Sequence, residues 1–429
     1  MKRGSAASTP ADVEGRKASG RRAVLVNLRL AGEDGWERAE EMRALCVSAG
    51  VDVVGEVTQV RRSPDAGTYV GKGKLDEVRG EVERVGAEVV VFDRQVSPVQ
   101  WKHLEEALEA EILDRTGLIL DVFARHAHTA DGKLQVELAA LQYRLPRLVG
   151  RGVELSRLGG RTGPRTAMGT RGAGEPWLVE QRRRLRRQMK VLADKIVQLG
   201  KRRELTRKLR RRNRVPTVGI VGYTNSGKST LLNALSGAAV VVEDKLFSTL
   251  DPTTRAVGLP GGRRAVLSDT VGFIRELPPG LATAFRATIE EATSADVLLH
   301  VVDLSSPHWE MQKRSVLKTL YELGCADKPL VTAFNKIDLI APLPPLRAVC
   351  ESEEKGALVS AKQRTGLEQL MGLLEEEISR ISPEKREVVP YKRPAEALTA
   401  IPRGKAAGVQ YEKTRMRAAF SGLPEKSRR

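Results

Sequence analysis

Residues 217–235 read TVGIVGYTNSGKSTLLNAL. An apolar run passes into Gly222-x4-Gly227-Lys228-Ser229, and a leucine-rich helical segment follows. That spacing, in a strand–loop–helix context, predicts a phosphate-binding loop. Glycine has no Cβ, so backbone N–H groups can converge on an anion. Gly222, Tyr223, Thr224, Asn225, Ser226 and Gly227 would wrap the phosphates. Lys228 would reach the β- and γ-phosphates, and the Ser229 hydroxyl would ligate magnesium.

The base is read further along. In FNKIDL, 334–339, an apolar run ends in Asn335-Lys336-Ile337-Asp338. A carboxylate accepts from both N1–H and the 2-amino group of guanine. Adenine has neither donor and would leave a buried carboxylate unpaired, so Asp338 predicts GTP rather than ATP. Asn335 would brace the loop, and the Lys336 stem would lie over the ring. Ser360-Ala361-Lys362 fits a loop whose Ala361 N–H meets the guanine oxygen.

Between these motifs lies LSDTVGF, 267–273, covering Asp269, Thr270, Val271, Gly272 and Phe273. Asp269 at a strand end would hold a magnesium-bound water, and the Gly272 N–H would sense the γ-phosphate. Phe273 stands where Ras-like enzymes carry a water-orienting glutamine. A phenyl ring cannot orient water, so hydrolysis is expected to be slow alone and to need a partner. The first switch lies in KLFSTLDPTTR, 245–255, where Thr249, Thr253 and Thr254 each offer a hydroxyl; spacing does not choose among them.

The chain has 429 residues, which predicts roughly three domains. Net charge is +18, and aromatic residues are only 4%, so an acidic partner is expected but base recognition by aromatic stacking is not. Cys46, Cys325 and Cys350 are odd in number and far apart, which argues against a disulfide framework or a CxxC zinc site. No apolar run approaches the ~20 residues of a membrane span, and the first residues lack a secretory apolar core. A cytoplasmic protein without membrane insertion, and a monomer, is the expectation. The charge is local. Residues 151–214 hold 21 Lys/Arg against 5 Asp/Glu, a net of +16, and residues 383–429 carry +7.

The organisation read along the chain is an extension without fixed structure over 1–21, an N-terminal α/β domain over 22–115, a helical hairpin over 116–214, a P-loop GTPase domain over 215–382, and a small basic C-terminal segment over 383–429. In the first domain, short β-branched runs alternate with helical stretches at 34–49, 75–86 and 98–110, the mark of a mostly parallel sheet. YVGKGK, 69–74, sets Lys72 and Lys74 on the loop before a helix. Residues 116–149 read as helix, with Leu134, Leu138, Leu141, Leu145 and Leu148 in heptad spacing. Leu185, Met189, Leu192, Ile196 and Leu199 repeat it, so the two helices should pair antiparallel. Between them, 150–175 holds eight glycines and five arginines. A solvated linker is the plain reading; backbone freedom beside guanidinium groups favours an irregular phosphate surface met by Arg157, Arg161, Arg165 and Arg171. His126 and His128, two apart on a helix, point in different directions and make a poor metal pair. Asp93 and Asp114 at strand ends read better as loop caps than as catalytic acids.

GYTNSGKSTLLNAL, LFSTLDPTTR, DTVGFIRELP, LLHVVD and NKID together resemble the HflX family of ribosome-associated GTPases, kin to the Obg group. The resemblance continues upstream through YVGKGKLDEV, FDRQVSPVQ, DRTGLILDVFARHAHTADGKLQVELAALQYRLPRL and GGRTGPRT, and spans about 22–382. It implies that Thr249, within Phe247-Ser248-Thr249-Leu250-Asp251, binds magnesium. It also implies binding of GTP and GDP, docking on the large ribosomal subunit and its rRNA, and splitting of stalled ribosomes under stress. An Obg-type assembly role on immature subunits is the alternative. A non-ribosomal RNA-binding ATPase centred on residues 71–74 is a third reading.

Overall fold

The computed structural model describes residues 20–31, 35–148, 174–212, 215–237, 246–247, 253–274, 286–340 and 355–381. The expectations for the N-terminal extension, for the Gly/Arg-rich loop up to residue 173 and for 383–429 lie outside them.

Strands β1 (Arg21–Leu30), β2 (Val51–Arg61), β3 (Val89–Phe92) and β4 (Glu111–Asp114) form a wholly parallel sheet in the order β2-β1-β3-β4. Successive side chains alternate faces along a strand. Ala23 and Leu25 therefore join Met42 and Leu45 of α1 (Gly35–Ser48) and Leu118, Val122 and Phe123 of α4 (Arg115–His126). Val24, Val26 and Leu28 join Val78 of α2 (Lys72–Val85) and Leu104 of α3 (Pro98–Leu108) on the other face. β3 reads VVVF and is buried along its length, as a strand covered on both faces must be.

Local chemistry sets the boundaries. Ser97 and Gln100 form a reciprocal capping box ahead of Pro98. Gly71 caps α2, so Lys72 and Lys74 lie in the first helical turn rather than on the preceding loop, a correction to the sequence expectation. The single helix expected over 116–149 is two. α4 ends where Ala127 turns extended, and Thr129 then accepts from Gly132 N–H at 3.0 Å to start α5 (Ala130–Arg147). A threonine outside the helix satisfies an orphan amide, which favours a fresh start over continuation.

α5 packs on α6 (Gly174–Arg212) through Leu138, Leu141, Leu192 and Ile196, with Leu134, Leu185 and Met189 at the margin. The direction is antiparallel: Asp131, at the start of α5, pairs with Arg203, late in α6, at 2.6 Å.

The third unit is a six-stranded sheet in the order β10-β9-β8-β5-β7-β6. Its strands are β5 (Thr217–Gly222), β6 (Thr253–Gly258), β7 (Arg264–Asp269), β8 (Val297–Asp303), β9 (Leu330–Asn335) and β10 (Gly356–Leu358). All neighbours are parallel except the β6–β7 pair. Around it lie α7 (Lys228–Ser236), α8 (Arg286–Ser294), α9 (Trp309–Glu322) and α10 (Leu367–Ile381). Parallel strands end together, so β5, β7, β8 and β9 deliver Gly222, Asp269, Asp303 and Asn335 to one edge, where open α/β sheets bind ligands. Among the described residues, no helix is long and apolar enough to cross a membrane.

Candidate functional site

The phosphate loop leaves β5 at Gly222 and enters α7 at Lys228. Glycine is required by contact as well as by backbone angle. A Cβ on Gly222 would meet Val301 O at 2.4 Å, and one on Gly227 (φ +90°) would meet Asn335 Nδ2 at 2.3 Å. A Cβ on Gly272 would fall 2.7 Å from Thr224 Cα and 2.9 Å from Lys228 Nζ, so the backbone of the segment after Asp269, the second switch, lies directly against the loop. Asn225 adopts a left-handed φ of +60°. The loop is held from the second-switch side by Thr224 N–H donating to Phe273 O at 2.8 Å and Phe273 N–H donating to Gly222 O at 3.0 Å.

Lys228 is buried, and its ammonium donates to Tyr223 O at 2.7 Å. Burial pushes its pKa down to about 8, with Asp269 opposing that shift and Lys336 adding to it. Ser229 Oγ donates to Asp269 Oδ2 at 2.6 Å, and Thr270 Oγ1 donates to Ile220 O at 2.6 Å. A hydroxyl beside a carboxylate is the hard-oxygen donor set that magnesium takes. The buried hydroxyls of Thr224 and Ser226 have no partner among the described residues. Buried polar atoms are normally satisfied, so these two mark a place for a polar ligand.

The base-reading motif joins this loop. Asn335 Nδ2 donates to Ser226 O at 2.9 Å, and Asn335 Oδ1 accepts from Ala361 N–H at 3.0 Å. Ser360 Oγ donates to Asp338 Oδ1 at 2.6 Å. Lys336 has φ +66°, and its ammonium pairs with Asp303 Oδ2 at 2.7 Å. Ile337 begins a short 3-10 turn, and Lys362 is exposed.

Of the first-switch residues, Phe247 is described, whereas Ser248, Thr249, Leu250 and Asp251 lie outside the described residues. Phe247 is buried against the N-terminal domain, its ring edge-on to Phe123 at 4.8 Å, and Leu246 N–H donates to Ser48 Oγ at 3.1 Å. Val271 lies in the same apolar cluster. Phe273 is packed among Val221, Tyr223, Ala292 and Leu298, as an apolar ring should be. Arg157, Arg161, Arg165 and Arg171 are outside the described residues.

Asp114 caps α4, accepting from Gly117 N–H at 2.8 Å, and Asp93 ties β1 to a turn by accepting from Leu28 N–H at 3.1 Å and Tyr69 OH at 2.7 Å. Both act as structural acceptors in this arrangement. Three site-adjacent residues escape a motif reading. Asp303, which fixes Lys336, closes the apolar run LLHVVD, and a carboxylate ending a buried strand is a usable signal. Glu41 and Arg115 form a buried ion pair beside the phosphate loop. Glu41 sits in a charge-rich helix with nothing in its spacing to single it out.

Three family models match successive parts of the chain. Residues 217–336 match the model of a 50S ribosome-binding GTPase family. Residues 36–124 and 126–210 match the models of a GTP-binding GTPase N-terminal domain and of its middle region. The chain is 45% identical over 384 residues to a protein of Caldanaerobacter subterraneus named GTPase HflX, covering 90% of this chain and 87% of that one. It is 40% identical over 366 residues to the Escherichia coli protein of that name, covering 85% and 84%. A GTP-binding protein from the archaeon Sulfolobus solfataricus, solved with GDP, aligns over 84% of this chain and all of its own, at 25% identity and a TM-score of 0.44.

Proposed function

The chain belongs to the HflX family of GTPases, and from that premise we propose that it is a GTP-driven switch that docks on rRNA of the large ribosomal subunit and splits or rescues stalled ribosomes under stress. The observation that carries the ribosomal reading is charge. Residues 151–214 carry a net +16, and Arg157, Arg161, Arg165 and Arg171 fall, in sequence, between the two leucine-seam segments; guanidinium forks of this kind suit phosphate oxygens. The protein acts in the cytoplasm as a monomer.

In the site, Gly222 through Gly227 hold the phosphates and Lys228 neutralises them. Asn335, Lys336, Ile337 and Asp338, with Ser360, Ala361 and Lys362, hold the base. Ser229 and Asp269 fit magnesium by their donor chemistry, with Thr249 supplying a further hydroxyl from the first switch. Bound there, magnesium would neutralise charge on the phosphates. Thr270, Val271 and Gly272 carry the nucleotide state to the second switch. Hydrolysis is slow alone because Phe273 offers no group to orient water, and the ribosome supplies the missing element.

Cosedimentation with purified large subunits, with GDP or a non-hydrolysable GTP analogue, tests the reading. Retention on mature subunits with the analogue and loss with GDP is the expected result. Retention only on precursor particles would favour an assembly role, and no retention would end the ribosomal reading.

A further inference from the structure

Tyr223 is the second residue of the phosphate loop, and its ring packs with Val221 and Phe273 in the GTPase domain. Its hydroxyl leaves that domain. It donates to Glu41 Oε2, on α1 of the N-terminal domain, at 2.6 Å. The other carboxylate oxygen, Oε1, accepts from Arg115 through Nε at 3.2 Å and through Nη2. The Glu41 and Arg115 side chains are only 9% and 5% exposed.

We propose that Glu41 is a positioning residue for GTP binding, one that sets the phosphate loop from the neighbouring domain by fixing Tyr223. The acceptor is itself immobile. Arg115 opens α4 directly after the Asp114 cap, so both partners of the ion pair are anchored in the four-stranded sheet unit. A phenol donating to a buried carboxylate is a charge-assisted bond, stronger than a neutral one. The main chain of the same tyrosine matters to the chemistry. Tyr223 O receives the Lys228 ammonium at 2.7 Å, and the next residue, Thr224, is tied to Phe273. Moving Tyr223 therefore moves the resting place of the phosphate-binding lysine. Packing alone would be served by phenylalanine; the hydroxyl adds the bond to Glu41. The proposal rests on GTP binding and is independent of ribosome docking.

A residue that only glues two domains together would affect thermal stability and leave nucleotide kinetics alone. Tyr223→Phe removes one oxygen and keeps the ring, and is made in the full chain. We expect it to speed release of a fluorescent GDP by about three- to tenfold, a part of the worth of one bond to a charged group, because the bond acts on the nucleotide indirectly. The KM for GTP should rise in proportion, with kcat within about twofold of the parent on the same scale. Glu41→Ala should match it, and the double variant should be no worse than either single, because both remove one interaction. Unchanged GDP release in Tyr223→Phe, or effects of the two changes that simply multiply, would overturn the proposal. Should Glu41→Ala fail to fold once Arg115 loses its Glu41 partner, Tyr223→Phe alone still decides.

Discussion

Asn335 Nδ2 donates to the Ser226 carbonyl oxygen at 2.9 Å, joining the base-reading strand to the phosphate loop across 109 positions of sequence. The same side chain accepts from Ala361 N–H at 3.0 Å, so one buried amide holds three loops in register. Asn335→Ala strands both backbone partners, at about 1–3 kcal/mol each when buried. GDP affinity by calorimetry should fall at least tenfold. A fall below twofold would show that the loops hold their geometry without the amide.

Asp338 lies beside Ser360, whose hydroxyl donates to it at 2.6 Å. Asp338→Asn exchanges an acceptor for a donor at the base edge. Preference should move from GTP toward xanthosine triphosphate, whose added oxygen accepts where guanine donated. Competition between the two nucleotides measures this, and full retention of GTP affinity counts against the base assignment.

Lys228→Ala should abolish GTP turnover, since it removes the buried ammonium next to Gly272 and Tyr223. Lys72→Ala should leave turnover within about twofold, as surface changes away from a site usually do. Lys72 stands in the first turn of α2, in the other domain. Loss of turnover in the Lys72 variant would mean the active site lies elsewhere.

What could be read in the sequence followed from local periodicity and close spacing. Gly222 to Ser229 is a contiguous signal, and the hairpin seam repeats at Leu134, Leu138 and Leu141 against Leu185, Met189 and Leu192, so both were open to reading. The break between α4 and α5 was hidden, because a threonine cap leaves the apolar spacing on either side undisturbed. Contacts between domains had no signature at all. Phe123 meets Phe247, and Tyr223 meets Glu41, through space alone, and neither pair shares a spacing. Sheet order was equally silent: nothing local says that β1 lies between β2 and β3, or that β5 neighbours β7 and β8.

The pH dependence of nucleotide binding follows from Lys228. Burial brings its pKa down to about 8, whereas the unfolded value is 10.5. The cost of a buried ammonium is complete below about 8 and is relieved as pH rises toward 10.5, so this group's contribution to stability increases through that window. Nucleotide phosphates beside the ammonium raise its pKa again. Below about 8 the free and bound proteins are both protonated, and this group adds no pH dependence. Above it, only the free protein has lost the proton, binding takes one up, and log affinity for GDP should fall by up to about one per pH unit. Lys228→Arg, charged throughout, should remove the trend. Equal slopes in parent and variant between about pH 7 and 9 would assign the trend to another group.

If Arg157, Arg161, Arg165 and Arg171 meet rRNA, each neutralised phosphate releases counterions and adds about 0.7–0.9 to the slope of log affinity against log salt. Changing all four to Ala should weaken ribosome binding and flatten that slope by about three units. Intrinsic GTP hydrolysis should stay nearly constant, because none of the four belongs to a nucleotide motif. Ribosome-stimulated hydrolysis should fall, since docking supplies what Phe273 cannot. A solvated linker predicts that neither affinity nor slope changes. Binding measured over a salt series separates the two, because a merely destabilised protein would lose affinity without a change in slope. Unaltered affinity and slope in the quadruple variant would leave this charge as solvation and move the search for the ribosomal contact to the lysines and arginines of α6.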